Sequence, residues 1–312
     1  MQPGNQRKSP QGKVWAIALL LILGVNVAWL SFGKTETAAE DEVTADLAES
    51  NQAEQSISYE QYELENTTVH VVKVRPFAQV SVIAAEELQT VNAFAEELKA
   101  AGRTPKAIIN AGFFDPNNGQ TTSHITINSQ SAGDPAENEG LTGNPKLQPY
   151  LPQIFNRSEF RIYECPLARL ITPYAIAPHD YTLNGCNITQ AIGAGPQLLP
   201  ENTSEQEAFT RYENGELVRD AIGSVYPNAR SAIGIHKDGS AMLFMFAQRP
   251  DAPGATLQDV ADFAASLDTE QLLNLDGGSS SSLYYEGELY LGRLNADGEA
   301  IERPVKSVIV VE

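Results

Sequence analysis

Two stretches of this chain repeat one order of hydrophobic and polar positions. In the first, residues 68–74 (TVHVVKV) and 79–84 (QVSVIA) alternate as strands do on either side of a Pro76 turn. Thr90 then caps a helix over 91–101, with Val91, Phe94, Ala95 and Leu98 on one face and Gly102 at its end. A short apolar strand, 106–110 (KAIIN), runs into Ala111-Gly112-Phe113-Phe114-Asp115-Pro116. In the second stretch, 240–247 (SAMLFMFA) is a strand, and Thr256 and Asp259 make a capping box at the head of a helix. The strand 271–276 (QLLNLD) then runs into Gly277-Gly278-Ser279.

Each stretch predicts a strand-helix-strand unit. Such crossovers set strands parallel, and ligands gather beyond their carboxyl ends. INAGFFD and NLDGGSS stand at those ends. The strands at 159–164, 231–236 with its Lys237-Asp238-Gly239 turn, 282–286, 288–291 and 305–311 read as hairpins. The expected fold class is α+β: one domain, residues 59–312, with a mixed β-sheet flanked by helices. Between 117 and 156, Asn, Gly, Pro and Ser erase the periodicity, which predicts a long excursion.

A different pattern holds near the N-terminus. Residues 14–33 are uncharged, with only Asn26 and Ser31 polar, and Arg7, Lys8 and Lys13 precede them in a basic stub without acids. The length is close to the roughly 20 residues of a spanning helix, with its basic flank inside. This predicts a transmembrane signal anchor, or a signal peptide if the chain is cut near Thr37-Ala38-Ala39. Residues 34–58 follow with seven acids and Lys34 as the sole base, the composition of a disordered linker. The folded part is thus expected outside the cytoplasm, held at the membrane on the periplasmic or cell-surface side, or secreted after cleavage.

Charge and cysteines narrow the partners. The formal net charge is −19 and no basic stripe is present, so the counterion release that drives nucleic-acid binding has no source. Cys165 and Cys186 form an even pair in an exported chain, which predicts a disulfide, worth about 3 kcal/mol on the chain-entropy estimate. No CxxC pair or His cluster accompanies them, so neither a metal nor another cofactor is expected.

The candidate chemistry centres on Asp276. It ends an apolar strand ahead of two glycines and four serines, Ser279 to Ser282, where main-chain amides and hydroxyls can converge on an anion beside a carboxylate. Asn110 and Asp115 flank Gly112, Phe113 and Phe114, and the aromatic faces suit either a sugar ring or the core. Gly193-Ala194-Gly195-Pro196-Gln197 is a backbone-exposing turn, and Arg230 is a candidate phosphate fork at a strand entry. His124 lies in an alternating segment after the first glycine turn, where it can face the site or the core.

The blocks INAGFF, GAGPQLL, ARSAIG and NLDGGSSSS, in this order, resemble the phosphodiester glycosidase family over residues 69–311. The resemblance matches Asn110, Gly112 and Phe113 in the first block, Gly195 and Pro196 in the second, and Arg230 and Gly234 in the third. In the last it matches Asp276, Gly277, Gly278 and Ser280. Ala111, Ala194 and Ser279 stand where that pattern has glycine.

The resemblance implies a hydrolase that cleaves between the anomeric carbon of a sugar and a phosphate oxygen, acting on a sugar-phosphate or phosphoglycan of an envelope polymer or glycan. It needs an anion grip, a stabilised oxocarbenium-like transition state and an activated water. The expected assignment gives the phosphate to Arg230 and the amides from Gly277 to Ser280, and the sugar to Asp276, with Asp115 as the second carboxylate. Two other readings stand beside it: a non-catalytic phosphoglycan-binding domain in exopolysaccharide assembly or export, and a cation-dependent phosphodiesterase.

Overall fold

The computed structural model of the chain describes residues 56–167 and 170–312. The apolar segment 14–33 and the linker as far as residue 55 lie outside them; the last two linker residues, Ile57 and Ser58, open the first strand. Among the described residues no helix is long and apolar enough to cross a membrane.

A six-stranded sheet runs in the order β1 (Ile57–Glu63), β2 (Thr68–Val74), β14 (Ala241–Ala247), β13 (Arg230–His236), β15 (Thr269–Asn274), β10 (Gln197–Leu199). A five-stranded sheet runs β17 (Glu288–Leu291), β16 (Ser282–Tyr285), β4 (Ala107–Asn110), β18 (Val305–Val311), β3 (Val80–Gln89). A second five-stranded sheet runs β6 (Gln130–Gly133), β5 (Ile125–Ile127), β9 (Asn187–Gly193), β7 (Ser158–Glu164), β8 (Tyr174–Pro178). The hairpin of β11 (Thr210–Glu213) and β12 (Glu216–Asp220) stands apart from all three.

The apolar runs are continuous because their strands are covered on both faces. Leu243, Met245 and Ala247 of β14 and Ile309 and Val311 of β18 enter one central core, joined by Ile125, Phe160 and Ile192 of the third sheet. On the outer face of the first sheet, Met242, Phe244 and Phe246 pack under the helix Leu257–Ser266. Val308 and Val310 of the second sheet pack likewise under the helix Val91–Ala100. Both helices place one apolar stripe on the sheet, Val91, Phe94, Ala95 and Leu98 in one and Leu257, Val260, Ala261 and Ala264 in the other.

The protein is mostly β, and the expected mixed sheet is corrected: among the described residues every laddered pair is antiparallel. The strand-helix-strand units are real but split. β3 and β4 both pair antiparallel with β18, which lies between them, so they run parallel without touching. β14 and β15 flank β13 in the same way. Local periodicity cannot announce a strand inserted from elsewhere in the chain. The excursion at 117–156 is also less bare than expected, since it contains β5, β6 and the one-turn helices Glu139–Thr142 and Leu151–Ile154. Cys165 and Cys186 are bonded as expected, their Cα atoms 4.2 Å apart.

Candidate active site

The turns that end β4 and β15 are tied to one another. Asp276 N donates to Ala111 O at 2.9 Å, and Asn110 Nδ2 donates back to Asp276 O at 2.5 Å. Asn110 Oδ1 accepts from Ser231 Oγ at 2.7 Å and from Ser282 N at 3.1 Å, so this fully buried amide joins β4, β13, β16 and the Asp276 turn. With its polar atoms thus committed, Asn110 is a positioning residue and not the catalytic group expected. Asn274 plays the matching part at the end of β15: its Nδ2 donates to Gly195 O at 2.8 Å, fixing the GAGP turn.

Above these ties lies a cavity of about 140 Å³ lined by Phe113, Ile222, Asn228, Arg230, Asn274, Asp276, Gly277 and Gly278. The first, third and fourth blocks line it directly; the GAGP turn of the second is tied to its floor through Asn274. The Asp276 carboxyl is half-buried here, and desolvation lifts it to about 6, against the opposing pull of the Ser280 hydroxyl, the Arg303 charge and the Gly277 amide. A carboxyl at that value exchanges protons near neutral pH, as a general acid or base must.

Several expected contacts are redirected. Arg230 lines the cavity, but its guanidinium is spent on main-chain carbonyls: Nε on Ala255 (3.1 Å), Nη1 on Ile222 (3.0 Å), and Nη2 on Gly223 (2.5 Å) and Tyr226 (2.9 Å). Burial lowers its pKa to about 10. Arg230 therefore holds the 222–226 wall in place and is not a free phosphate fork. The glycine-serine loop is a 3-10 turn, Gly278–Ser280, in which Gly278 N binds Ala229 O and Ser280 N binds Gly277 O. The Gly278 and Ser280 amides are thus taken up by the main chain; Ser280 is buried and serves the Asp276 carboxyl, as does the Gly277 amide, and Ser279 Oγ accepts from Arg303 Nη1 at 2.9 Å.

Asp115 does not reach the cavity. Its Oδ1 accepts from Asn117 N and Asn117 Nδ2, both at 2.9 Å, an Asx turn that organises the next loop. His124 is likewise elsewhere: Nε2 pairs with Phe155 O at 3.0 Å and its ring stacks on His179 at 3.6 Å. Gly112 answers to packing, since a Cβ there would sit 2.8 Å from Ile192 Cδ1 and 2.9 Å from Gly193 O. At Gly195 φ is +115°, the bond to Pro196 is cis, and Phe209 leaves no room for a side chain. Phe113 is the residue of the first block that faces the cavity, and it also contacts Phe209 at 5.7 Å.

Sequence reading passed over Asn228, Arg293 and Arg303. Arg293 Nη1 donates to Asn228 Oδ1 at 2.5 Å beside Gly278, and Arg303 lies over Phe114, 5.4 Å from its centroid. Both arginines come from an irregular segment after β17, where no periodicity points inward; Asn228 stands two residues before Arg230, a signal that was there to read.

The sequence model of the phosphodiester glycosidase family matches residues 103–312. Among solved structures, the catalytic domain of zebrafish N-acetylglucosamine-1-phosphodiester alpha-N-acetylglucosaminidase, auto-inhibited by its pro-peptide, is similar with a TM-score of 0.58. Its identity is 18%, over 82% of this chain and 82% of that one. A hypothetical protein from Synechocystis is similar with a TM-score of 0.54 at 16% identity, over 83% of this chain and 62% of that one. At such identities the likeness is one of fold. No curated protein matches the chain.

Proposed function

From the premise that this chain belongs to the phosphodiester glycosidase family and is a hydrolase of phosphodiester-linked sugar, we propose that it hydrolyses a sugar-1-phosphodiester of an envelope polymer or glycan at the Asp276 cavity. The observation that carries this reading is a carboxyl raised to about 6 in a cavity walled by an aromatic ring, Phe113, and by Gly277 and Gly278.

The roles follow from the leaving group. A phosphate departs without prior protonation, so the carboxylate is needed on the sugar side. The bond from the anomeric carbon to the phosphate oxygen breaks, its electron pair leaving with the phosphate, while a water oxygen bonds to that carbon. The Asp276 carboxylate steadies the positive charge that grows on the ring as the phosphate leaves, and takes the water's proton as the new bond to oxygen forms. Asn110 holds the main chain of Asp276 in register, and Ser280 holds its carboxylate. The Cys165–Cys186 bond supports placing the reaction outside the cytoplasm, where disulfides persist.

The test is turnover of an activated sugar-1-phosphodiester in isotopically labelled water. Label in the released sugar is the expected result. Label in the phosphate would assign cleavage to the phosphorus–oxygen bond, and saturable binding without turnover would make the domain a phosphoglycan receptor.

A further inference from the structure

With Arg230 and the amides of Gly277, Gly278 and Ser280 committed elsewhere, a strong grip on the substrate anion needs another source. Arg157, at the foot of β7, lies flat on Phe209 with Cζ 3.7 Å from the ring centroid, and Phe209 touches Phe113 of the catalytic cavity. Its Nε donates to Glu207 O at 3.1 Å, whereas Nη1 and Nη2 have no partner among the described residues. Arg219 of β12 is built the same way: Nε donates to Ala208 O at 2.9 Å, Cζ stands 4.5 Å over the Tyr150 ring, and the outer nitrogens have no partner among the described residues.

Stacking on an aromatic face leaves the planar edge of a guanidinium free to bind. The two cations also sense one another: burial lowers the pKa of Arg157 to about 10, the Glu207 carboxylate opposes this, and the Arg219 charge adds a smaller downward push. Glu207 acts on Arg157 through space and not by a direct ion pair. Its carboxylate is occupied by Ser158 N at 3.2 Å, Ser158 Oγ at 2.8 Å, Gln197 N at 3.2 Å and Thr203 Oγ1, and it forms no ion pair with Arg157. The carbonyls of Glu207 and Ala208, neighbours in the chain, thus hold two arginines whose outer nitrogens have no partner among the described residues, a setting that an anion can complete.

We propose that Arg157 and Arg219 form the anion subsite of this enzyme and hold the phosphate group of the diester while its sugar enters the Asp276 cavity past Phe113. This rests on the hydrolase reading above. A fork-on-phosphate contact from each arginine gives charge-assisted hydrogen bonds that neither a lysine nor the glycine loop supplies here. The Phe113–Phe209 pair, inserted between the cavity and Arg157, fixes the spacing of sugar from phosphate.

Inorganic phosphate is the probe. Calorimetry on the whole chain should show saturable binding, weakened about tenfold or more in Arg157→Gln and in Arg219→Gln, with only partial recovery in Arg157→Lys. Arg211→Gln removes an equal charge from β11 at a residue already paired with Glu213 and should bind nearly as the parent does. The same two glutamine variants should raise KM for a sugar-1-phosphodiester. Arg219→Gln guards against a folding artefact, since Arg219 stacks on a less buried ring. Parental phosphate affinity in both variants, or no saturable binding in the parent, overturns the proposal. Phosphate binding at these arginines without any turnover would instead sink the hydrolase reading and leave the subsite standing.

Discussion

The turn after β4 and the turn after β15 hold equivalent places in two split strand-helix-strand units, yet only the second presents a carboxyl to a cavity. Each strand ends in asparagine, Asn110 or Asn274, whose amide reaches across to a neighbouring turn. Each is bordered by a central strand carrying a serine, Ser307 or Ser231, whose main-chain oxygen accepts from the residue after the asparagine. The difference lies one residue further on. Gly112 is pressed against β9 and offers no side chain, while Asp276 projects its carboxyl beside Gly277 and Gly278. One topology thus yields a strut and the carboxyl proposed to react, and the two are joined: Asn110 fixes the main chain of Asp276.

The sharpest way to break this contrast is to exchange charge for amide in each turn. Asp276→Asn should lower kcat/KM about 10³-fold with the circular dichroism spectrum unchanged. Asp115→Asn, in the first turn, should leave kcat/KM nearly intact, because that carboxyl only closes a loop. Comparable losses in the two variants would restore Asp115 as the second carboxylate.

Removing the strut should come next. Asn110→Ala deletes three buried hydrogen bonds and opens a hole, a cost of about 3 kcal/mol in denaturant unfolding. Since Asn110 acts through Asp276, kcat should fall while phosphate affinity at the arginine pair stays at the parent's value. A parallel loss of phosphate affinity would mean that the strut supports the whole cleft.

The Asp276 carboxyl also gives the contrast a pH signature. Burial raises it to about 6 from an ordinary value near 3.8. If it acts as a base, kcat/KM rises with pH through about 6 and levels off. Stability runs the other way: between 3.8 and 6 the unfolded chain loses this proton first, so raising the pH favours unfolding. Asp276→Asn should therefore stabilise the fold by on the order of 1–2 kcal/mol at pH 7, after allowance for partial solvent screening, and by almost nothing at pH 4. A pH-independent difference would remove desolvation as the cause.

How far the chain announced all this depends on the range of the signal. Helix 91–100 was legible from Thr90 and its apolar stripe, and helix 257–266 from its capping box, because those signals are local. Strands β2, β17 and β18 carry alternation or apolar runs of the right length and appear at the expected bounds. The insertion of β18 between β3 and β4 was not legible, as pairing partners leave no mark in either strand. At the site, the meeting of Phe113, Arg230 and Asp276 could be expected from the ordered blocks, but the fate of the Arg230 guanidinium depended on carbonyls at 222–226 and 255 that no motif contains. Arg157 and Arg219 stand outside every block, so only packing reveals them.

The smallest effect tests whether the two units differ in stiffness as well as in chemistry. Thr90 caps its helix through one contact, accepting from Ala93 N at 3.2 Å. Thr256 accepts from Asp259 N at 3.1 Å, and the Asp259 carboxylate accepts in return from Thr256 N at 2.9 Å and Thr256 Oγ1 at 2.7 Å. Thr256→Ala should therefore cost about 1–1.5 kcal/mol and Thr90→Ala about 0.5–1 kcal/mol in denaturant unfolding. Only the first should also raise KM slightly, because Ala255, the residue before Thr256, supplies a carbonyl that anchors Arg230 and through it the wall of the cavity. Equal costs with no change in KM would show that the reacting unit is held by its sheet alone.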